Sequence, residues 1–190
     1  MTEVIIDRMP EFYTRNGDDG YTGILGAGRV PKHTPRIETI GTLDEAMAAL
    51  GVSRAVAQSS LTGSILLEVQ RDLYHLMAET AAQPEHAAQF RMIDEKRIVW
   101  LENKIDEIRA KVEVLEEFIL PGDSHAGAAI SLARTIVRRA ERWVTRLFLD
   151  GELENPELLR YLNRLSTLCF VLELLENQAV GNESQSYAKE

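Results

Sequence analysis

Cysteine is almost missing from this chain: Cys169 is the only one. That excludes an internal disulfide and any multi-cysteine metal centre. Its surroundings, TLCFVLELL, predict a buried, inert thiol. No apolar run approaches the roughly 20 residues that cross a bilayer. The start, MTEVIIDRMPEFY, has no basic segment followed by a long apolar stretch. Neither a membrane span nor a secretory leader is expected, and a cytoplasmic location follows as the default. Positive charge is also scarce. Lys and Arg number 21 against 30 Asp and Glu, for a net charge of −9 and a pI near 5.0. This argues against a general nucleic-acid binder. There is no Walker A loop, HExxH or CxxC, and no resident metal set is expected. None of His33, His75, His86 and His125 has a glutamate three positions before it, which excludes a Glu-x-x-His di-iron bundle. His75 and Glu79 share a helical face, but they are expected to be two polar side chains in solvent rather than metal ligands.

Strand patterning is equally weak, whereas helical periodicity is abundant. Residues 1–37 are broken by Pro10, Pro31 and Pro35 and by Gly17, Gly20, Gly23, Gly26 and Gly28. Within them, YTRNGDDGYTGILGAGRVPK (13–32) mixes glycines with hydroxyls and ends in Arg29 and Lys32. Backbone N–H groups, hydroxyls and a lysine can together cradle a phosphate; a merely flexible glycine loop has the same composition. Helical segments are then expected over 42–60, 61–82, 90–118, 124–149 and 156–178. Thr42 and Glu45 have capping-box spacing, and Asp44 lies in the first turn of that segment. Pro121-Gly122 forms a turn, with Asp123 or Ser124 as the cap of the next helix. The tail 181–190 is polar and expected to be disordered. The fold class is all-α: a five-helix bundle (38–180) behind a glycine-rich N-terminal loop (1–37). Its broad apolar faces also suit oligomer formation.

The segment 124–149 stands out because Arg134, Arg138, Arg139, Arg142 and Arg146 crowd onto it with no lysine. Arg134, Arg138 and Arg142 recur at i, i+4, i+8 and share a face, with Glu141 close by. Forked guanidinium groups fit phosphate or carboxylate, although a solvated arginine face has the same spacing. Arg146 has no role beyond that solvated face. Combined with the loop, the arginines point to polyphosphate binding on a helical protein; the reaction itself is not legible from these residues.

Three motifs extend the reading. YTRNGDDGYTG…GRVPK (13–32) is followed by TLDEA (42–46); FILPGDSHAGAAISLARTIVRRAERWV spans 118–144; LLRYLNRLSTLCFVL spans 158–172. In order and spacing the chain resembles the PduO-type ATP:cob(I)alamin adenosyltransferases. The resemblance implies a subunit of a homotrimer with active sites between subunits. It implies transfer of the 5′-deoxyadenosyl group of ATP to Co(I) of cobalamin, with release of tripolyphosphate. Mg2+ would accompany the nucleotide, and K+ is a further candidate ion. A reductase and an adenosylcobalamin-dependent enzyme are implied partners, with no nucleic acid and no membrane. By the same resemblance Thr14, Arg15, Asn16, Gly17, Thr22, Gly23 and Lys32 line the nucleotide. Arg138, Arg139, Glu141, Arg142 and Asn163 contact it from the helices. Asp44 and Arg134 match an intersubunit ion pair, and Phe118 matches the aromatic at the lower face of the corrin. The catalytic set implied is Arg138, Phe118, Asp44 and Arg134. The sequence departs from the family's usual Thr-Gly-Asp, Gly-Glu, Pro-Gly-Gly and Leu-Ser-Asp at Asn16-Gly17-Asp18, Ala27-Gly28, Pro121-Gly122-Asp123 and Leu165-Ser166-Thr167. A non-catalytic ATP- or corrinoid-binding paralogue, a sensor or cofactor carrier, is the alternative on the same fold.

Overall fold

The structure, a computed structural model, describes residues 13–113, 117–181 and 186–188. The beginning of the expected loop segment (1–12), three residues of the expected third helix (114–116) and most of the expected tail (182–185, 189–190) lie outside these. Among the described residues the fold is helical, with one small hairpin. Strands β1 (Tyr21–Gly23) and β2 (Arg29–Pro31) pair antiparallel, Thr22 opposite Val30. Helices α1 (Pro35–Val56), α2 (Ser60–Ala81), α4 (Glu95–Arg109), α5 (His125–Leu149) and α6 (Glu157–Ala179) are long, and α3 (Pro84–Ala87) is a single turn. No helix among the described residues is long and apolar enough to cross a membrane.

Helix α5 lies between α1 and α6; α1 also packs on α2, and α4 on α6. The buried residues of α5 explain the central place: Ala126, Ile130, Ala133, Val137, Ala140, Val144 and Leu147 recur every three or four positions. That alternation gives a continuous apolar seam, and its small members let neighbouring helices approach closely. They meet Leu43 and Leu50 of α1 and Leu158, Leu162, Leu165 and Leu172 of α6 in one core. Truncating any of these leucines to alanine removes about 2–5 kcal/mol of stability.

Three helix limits differ from the sequence expectation, one of them the end of α4 at Arg109 rather than at 118. Helix α1 begins at Pro35, not Thr42. Proline at the first helical position needs no N–H partner and presets φ. Thr42 is therefore interior and buried, and its hydroxyl donates to the Glu38 carbonyl (2.8 Å) rather than capping. The expected helix 90–118 is shorter: Pro84 opens α3, a 3-10 turn follows over Ala88–Phe90, and α4 starts only at Glu95. Asp94 sets that start, since its carboxylate accepts from the Arg97 amide (3.1 Å).

Buried polar groups pin the bundle. The Asp72 carboxylate accepts from Arg97 Nε (3.0 Å) and from the hydroxyl of fully buried Tyr161 (2.7 Å). Glu176 on α6 accepts from the amides of Gln58 (2.8 Å) and Ser59 (3.2 Å), which fixes the α1–α2 turn to α6. Arg36 donates to the carbonyls of Thr80 (2.7 Å), Ala82 (3.1 Å) and Glu152 (3.0 Å), tying the starts and ends of three helices together. Gly127 permits a close approach: a Cβ there would lie 2.2 Å from Asn177 Oδ1 of α6. The same Asn177 oxygen accepts from Ser124 Oγ (2.7 Å), while that Oγ caps α5 by accepting from the Gly127 amide (2.8 Å).

Candidate functional site

The loop 13–32 is a braced surface structure rather than a free chain. Arg29 on β2 is the brace: its guanidinium donates to both Asp19 carboxylate oxygens (2.8 and 2.6 Å), to the Tyr21 carbonyl (3.0 Å) and to the Asn16 carbonyl. Hydrogen bonding from Arg29 holds the exposed Asp19 carboxyl down at about 2. Lys32 ties the same turn from the other side, its Nζ donating to the Gly17 carbonyl (2.8 Å) and its amide to the Gly20 carbonyl (2.9 Å). Arg15 adopts φ 59°, a left-handed conformation rarely taken by a non-glycine residue, with its guanidinium 5.4 Å from the Tyr13 ring centre. The hairpin's far side is anchored on the end of α2. Leu25 exchanges backbone hydrogen bonds with Ala81 and Gln83 (both 2.9 Å), and the Gln83 side chain donates to the Ala27 carbonyl (2.7 Å). Thr14, Arg15, Asn16, Gly17 and Lys32 thus cluster around one exposed turn, with Thr22 and Gly23 on β1 beside it.

The arginine face of α5 divides into residues with distinct partners. The Arg138 side chain is exposed and its guanidinium has no hydrogen-bond partner among the described residues, so its five donors are available to a ligand. Arg142 is exposed, and its Nη1 donates to the Arg138 carbonyl (3.1 Å). Glu141 and Asn163 meet between α5 and α6, Asn163 Nδ2 donating to Glu141 Oε1 (3.0 Å). Arg164 donates to the Asn163 oxygen (2.9 Å), so the amide is oriented from both sides. Arg139 points to α1 and pairs with Glu45 within the chain. Glu45 is not the capping residue that its spacing with Thr42 suggests; it holds an arginine. Arg146 is exposed, as expected of a solvated arginine; it reaches Asp150 (3.6 Å) and lies 5.4 Å from the centre of the Trp143 ring.

A third cluster lies toward the beginning of α5. A cavity of about 150 Å³ is lined by Glu117, Phe118, Ile119, Ser131, Arg134 and Glu173, among others. Phe118 is 72 % exposed. The Nε of Arg134 is buried without a hydrogen-bond partner among the described residues. Burial raises the Glu173 carboxyl, while a hydrogen bond from Ser131 and the Arg134 charge oppose that rise. Burial also pushes the Cys169 thiol up to about 12, as expected for an inert core thiol. Asp44 is exposed on α1 and does not meet Arg134 within the chain. Sequence reasoning placed Arg29 in the loop without its bracing role, and missed Asp19, Ser131 and Glu173 as parts of these clusters. Their partners are distant in sequence or lie in turns, where periodicity carries no signal.

Among the described residues, no element contact joins the hairpin to the two clusters along α5. Strands β1 and β2 pack on each other and on no helix, while Phe118 and Arg134 lie toward the opposite end of α5 from Arg142. The fold nevertheless has close counterparts. Residues 12–176 match the family model described as cobalamin adenosyltransferase. The corrinoid adenosyltransferase PduO of Citrobacter freundii is 39% identical over 166 residues, which cover 87% of this chain and 49% of that protein. The chain thus spans about half the length of that relative and of its Salmonella typhimurium counterpart. The corrinoid adenosyltransferase of Bacillus subtilis is 35% identical over 184 residues, covering 94% of this chain and 93% of the relative. Among solved structures, a variant PduO-type ATP:corrinoid adenosyltransferase from Lactobacillus reuteri, complexed with cobalamin and ATP, superposes with a TM-score of 0.85. It is 31% identical and covers 94% of this chain and 99% of that one. An arginine-to-lysine variant from the same organism, complexed with ATP, gives a TM-score of 0.83 at 32% identity, covering 93% of this chain and 99% of that one. By sequence and by fold, the chain belongs to the cobalamin adenosyltransferase family.

Proposed function

We propose that this protein transfers the 5′-deoxyadenosyl group of ATP to the cobalt of a reduced corrinoid. The observation that carries the proposal is the unpartnered Arg138 guanidinium, next to Arg142 and to the Glu141–Asn163 pair, on a family fold. In the reaction Co(I) supplies the electron pair for a new cobalt–carbon bond, the C5′–oxygen bond of ATP breaks, and that electron pair leaves on tripolyphosphate. The corrinoid brings its own nucleophile, so the protein's work is positioning and charge stabilisation. Arg138 and Arg142 neutralise the phosphates, and Glu141 with Asn163 offers acceptors and a donor to the nucleoside. Thr14, Arg15, Asn16, Gly17, Thr22, Gly23 and Lys32 close over the phosphates from the braced turn. Phe118 packs against the lower face of the corrin, where a ring excludes an axial ligand and water.

No group of three or more His, Cys, Asp or Glu side chains among the described residues forms a metal cage. A magnesium ion is read as arriving on the ATP phosphates, where it would share the developing charge. The separation of the clusters supports a homotrimer in which the loop of one copy meets the helices of the next. Arg134, whose buried Nε lacks a partner among the described residues, then pairs with Asp44 of a neighbouring copy.

The test mixes purified protein, ATP, magnesium and cobalamin under strong reduction and follows the corrin absorbance. Appearance of adenosylcobalamin is expected. ATP binding without adenosylcobalamin would overturn the proposal in favour of a non-catalytic binding protein.

A further inference from the structure

Phe118 sits in the connection from α4 to α5, which has no helix or strand of its own among the described residues beyond Arg109. What holds its backbone is a short antiparallel pairing with residues 186–188. The Leu120 amide donates to the Ser186 carbonyl (2.7 Å), the Ala188 amide donates to the Phe118 carbonyl (2.9 Å), and Ile119 bridges Tyr187. In such a pairing successive side chains point to opposite sides. Ile119 is half-buried against the core, while Phe118 and Leu120 are 72 % and 45 % exposed. A slip of one residue would reverse them and turn the Phe118 ring inward.

The register has a specific lock. Asp123 Oδ2 accepts from the Ser186 amide (2.9 Å), and Asp123 Oδ1 accepts from the Ser186 hydroxyl (2.7 Å). Two donors of one residue on the two oxygens of one carboxylate fix residue 186 in place more firmly than backbone pairing over three residues can. Five residues from Phe118 along the backbone, the lock acts on the direction of the ring without touching a ligand.

We propose that Asp123, by holding Ser186, is a positioning residue that fixes how Phe118 presents its ring to the corrinoid. This rests on the reading of Phe118 as a corrin contact. The test measures steady-state adenosylation with ATP and cobalamin varied separately, for Asp123→Gly, Asp123→Asn, Ser186→Ala and Phe118→Ala. Asp123→Gly is expected to lower kcat/KM for cobalamin about tenfold while KM for ATP and Tm stay unchanged. Asp123→Asn, which keeps one acceptor oxygen, should recover part of the loss, and Ser186→Ala should show a smaller version of it. A loss shared equally between cobalamin and ATP, or one that tracks a fall in Tm, would reduce Asp123 to a structural role and overturn the proposal. So would unchanged cobalamin kinetics in Asp123→Gly while Phe118→Ala is impaired, which leaves the Phe118 reading intact. Unchanged kinetics in Phe118→Ala would remove the Phe118 reading, and the lock's function with it.

Discussion

The arginine face of α5 and the loop 13–32 offer cations in opposite ways. On α5 the backbone is fixed by a buried apolar seam, so Arg138 is left free for a ligand without cost to its own position. In the loop there is no core beneath the turn. Arg29 and Lys32 spend their donors on Asp19, Asn16, Gly17 and Tyr21, and the turn keeps its shape because of them. One region binds with side chains that the fold does not need. The other uses side chains to make a backbone that can bind.

The strongest test of that contrast is Arg138→Ala. It should lower kcat/KM for ATP by about a hundredfold or more, as for loss of a charge-stabilising donor, with Tm unchanged; near-normal kinetics would make Arg138 a solvated residue. Next comes Gly127→Ala, which should act on stability instead. A Cβ 2.2 Å from Asn177 Oδ1 displaces both the α6 contact and the Ser124 cap, and about 1–3 kcal/mol, or roughly 5 °C in Tm, should be lost. Unaltered thermal unfolding would show that the α5–α6 seam yields more than its packing suggests. Arg29→Ala should raise KM for ATP about fivefold and leave Tm alone, because an exposed, solvent-screened pair adds little to stability; a lower Tm with normal KM would reverse the assignment of the brace. The smallest effect concerns pH. Folding lowers the Asp19 carboxyl from 3.8 to about 2, so its contribution is complete above about pH 4 and is lost as pH falls toward 2. Proteolytic cutting of the loop by an acid-active protease should therefore rise between pH 4 and 2 in the native protein and be flat in Asp19→Ala.

The same contrast governs what could be read from the sequence. Five long helices were legible because each repeats its apolar positions over many turns, and α5 most of all. The hairpin was not: YTG and RVP are three residues each, too short for any alternation to register. The start of α1 was misread because Thr42 and Glu45 offered a capping pattern later than Pro35 did. Within the site, Glu141 and Asn163 were named together and do meet. The Arg139–Glu45 pair joins residues 94 apart, and the partnership of Asp123 with Ser186 spans 63. No local pattern encodes either, since both depend on which distant segments become neighbours.

Arg36 has a consequence for the order in which the molecule assembles. Its hydrogen bonds reach Thr80, 44 residues away, and Glu152, 116 residues away, and the loop's anchor at Gln83 lies beside them. Closing contacts over such distances costs chain entropy that only a formed bundle can offset. The loop 13–32 should thus be the last part to order during folding. Pulse-labelled hydrogen exchange would show protection at the amides of Leu25 and Gln83 appearing after that of α5. A chain that has not finished its bundle then lacks the loop proposed to hold ATP.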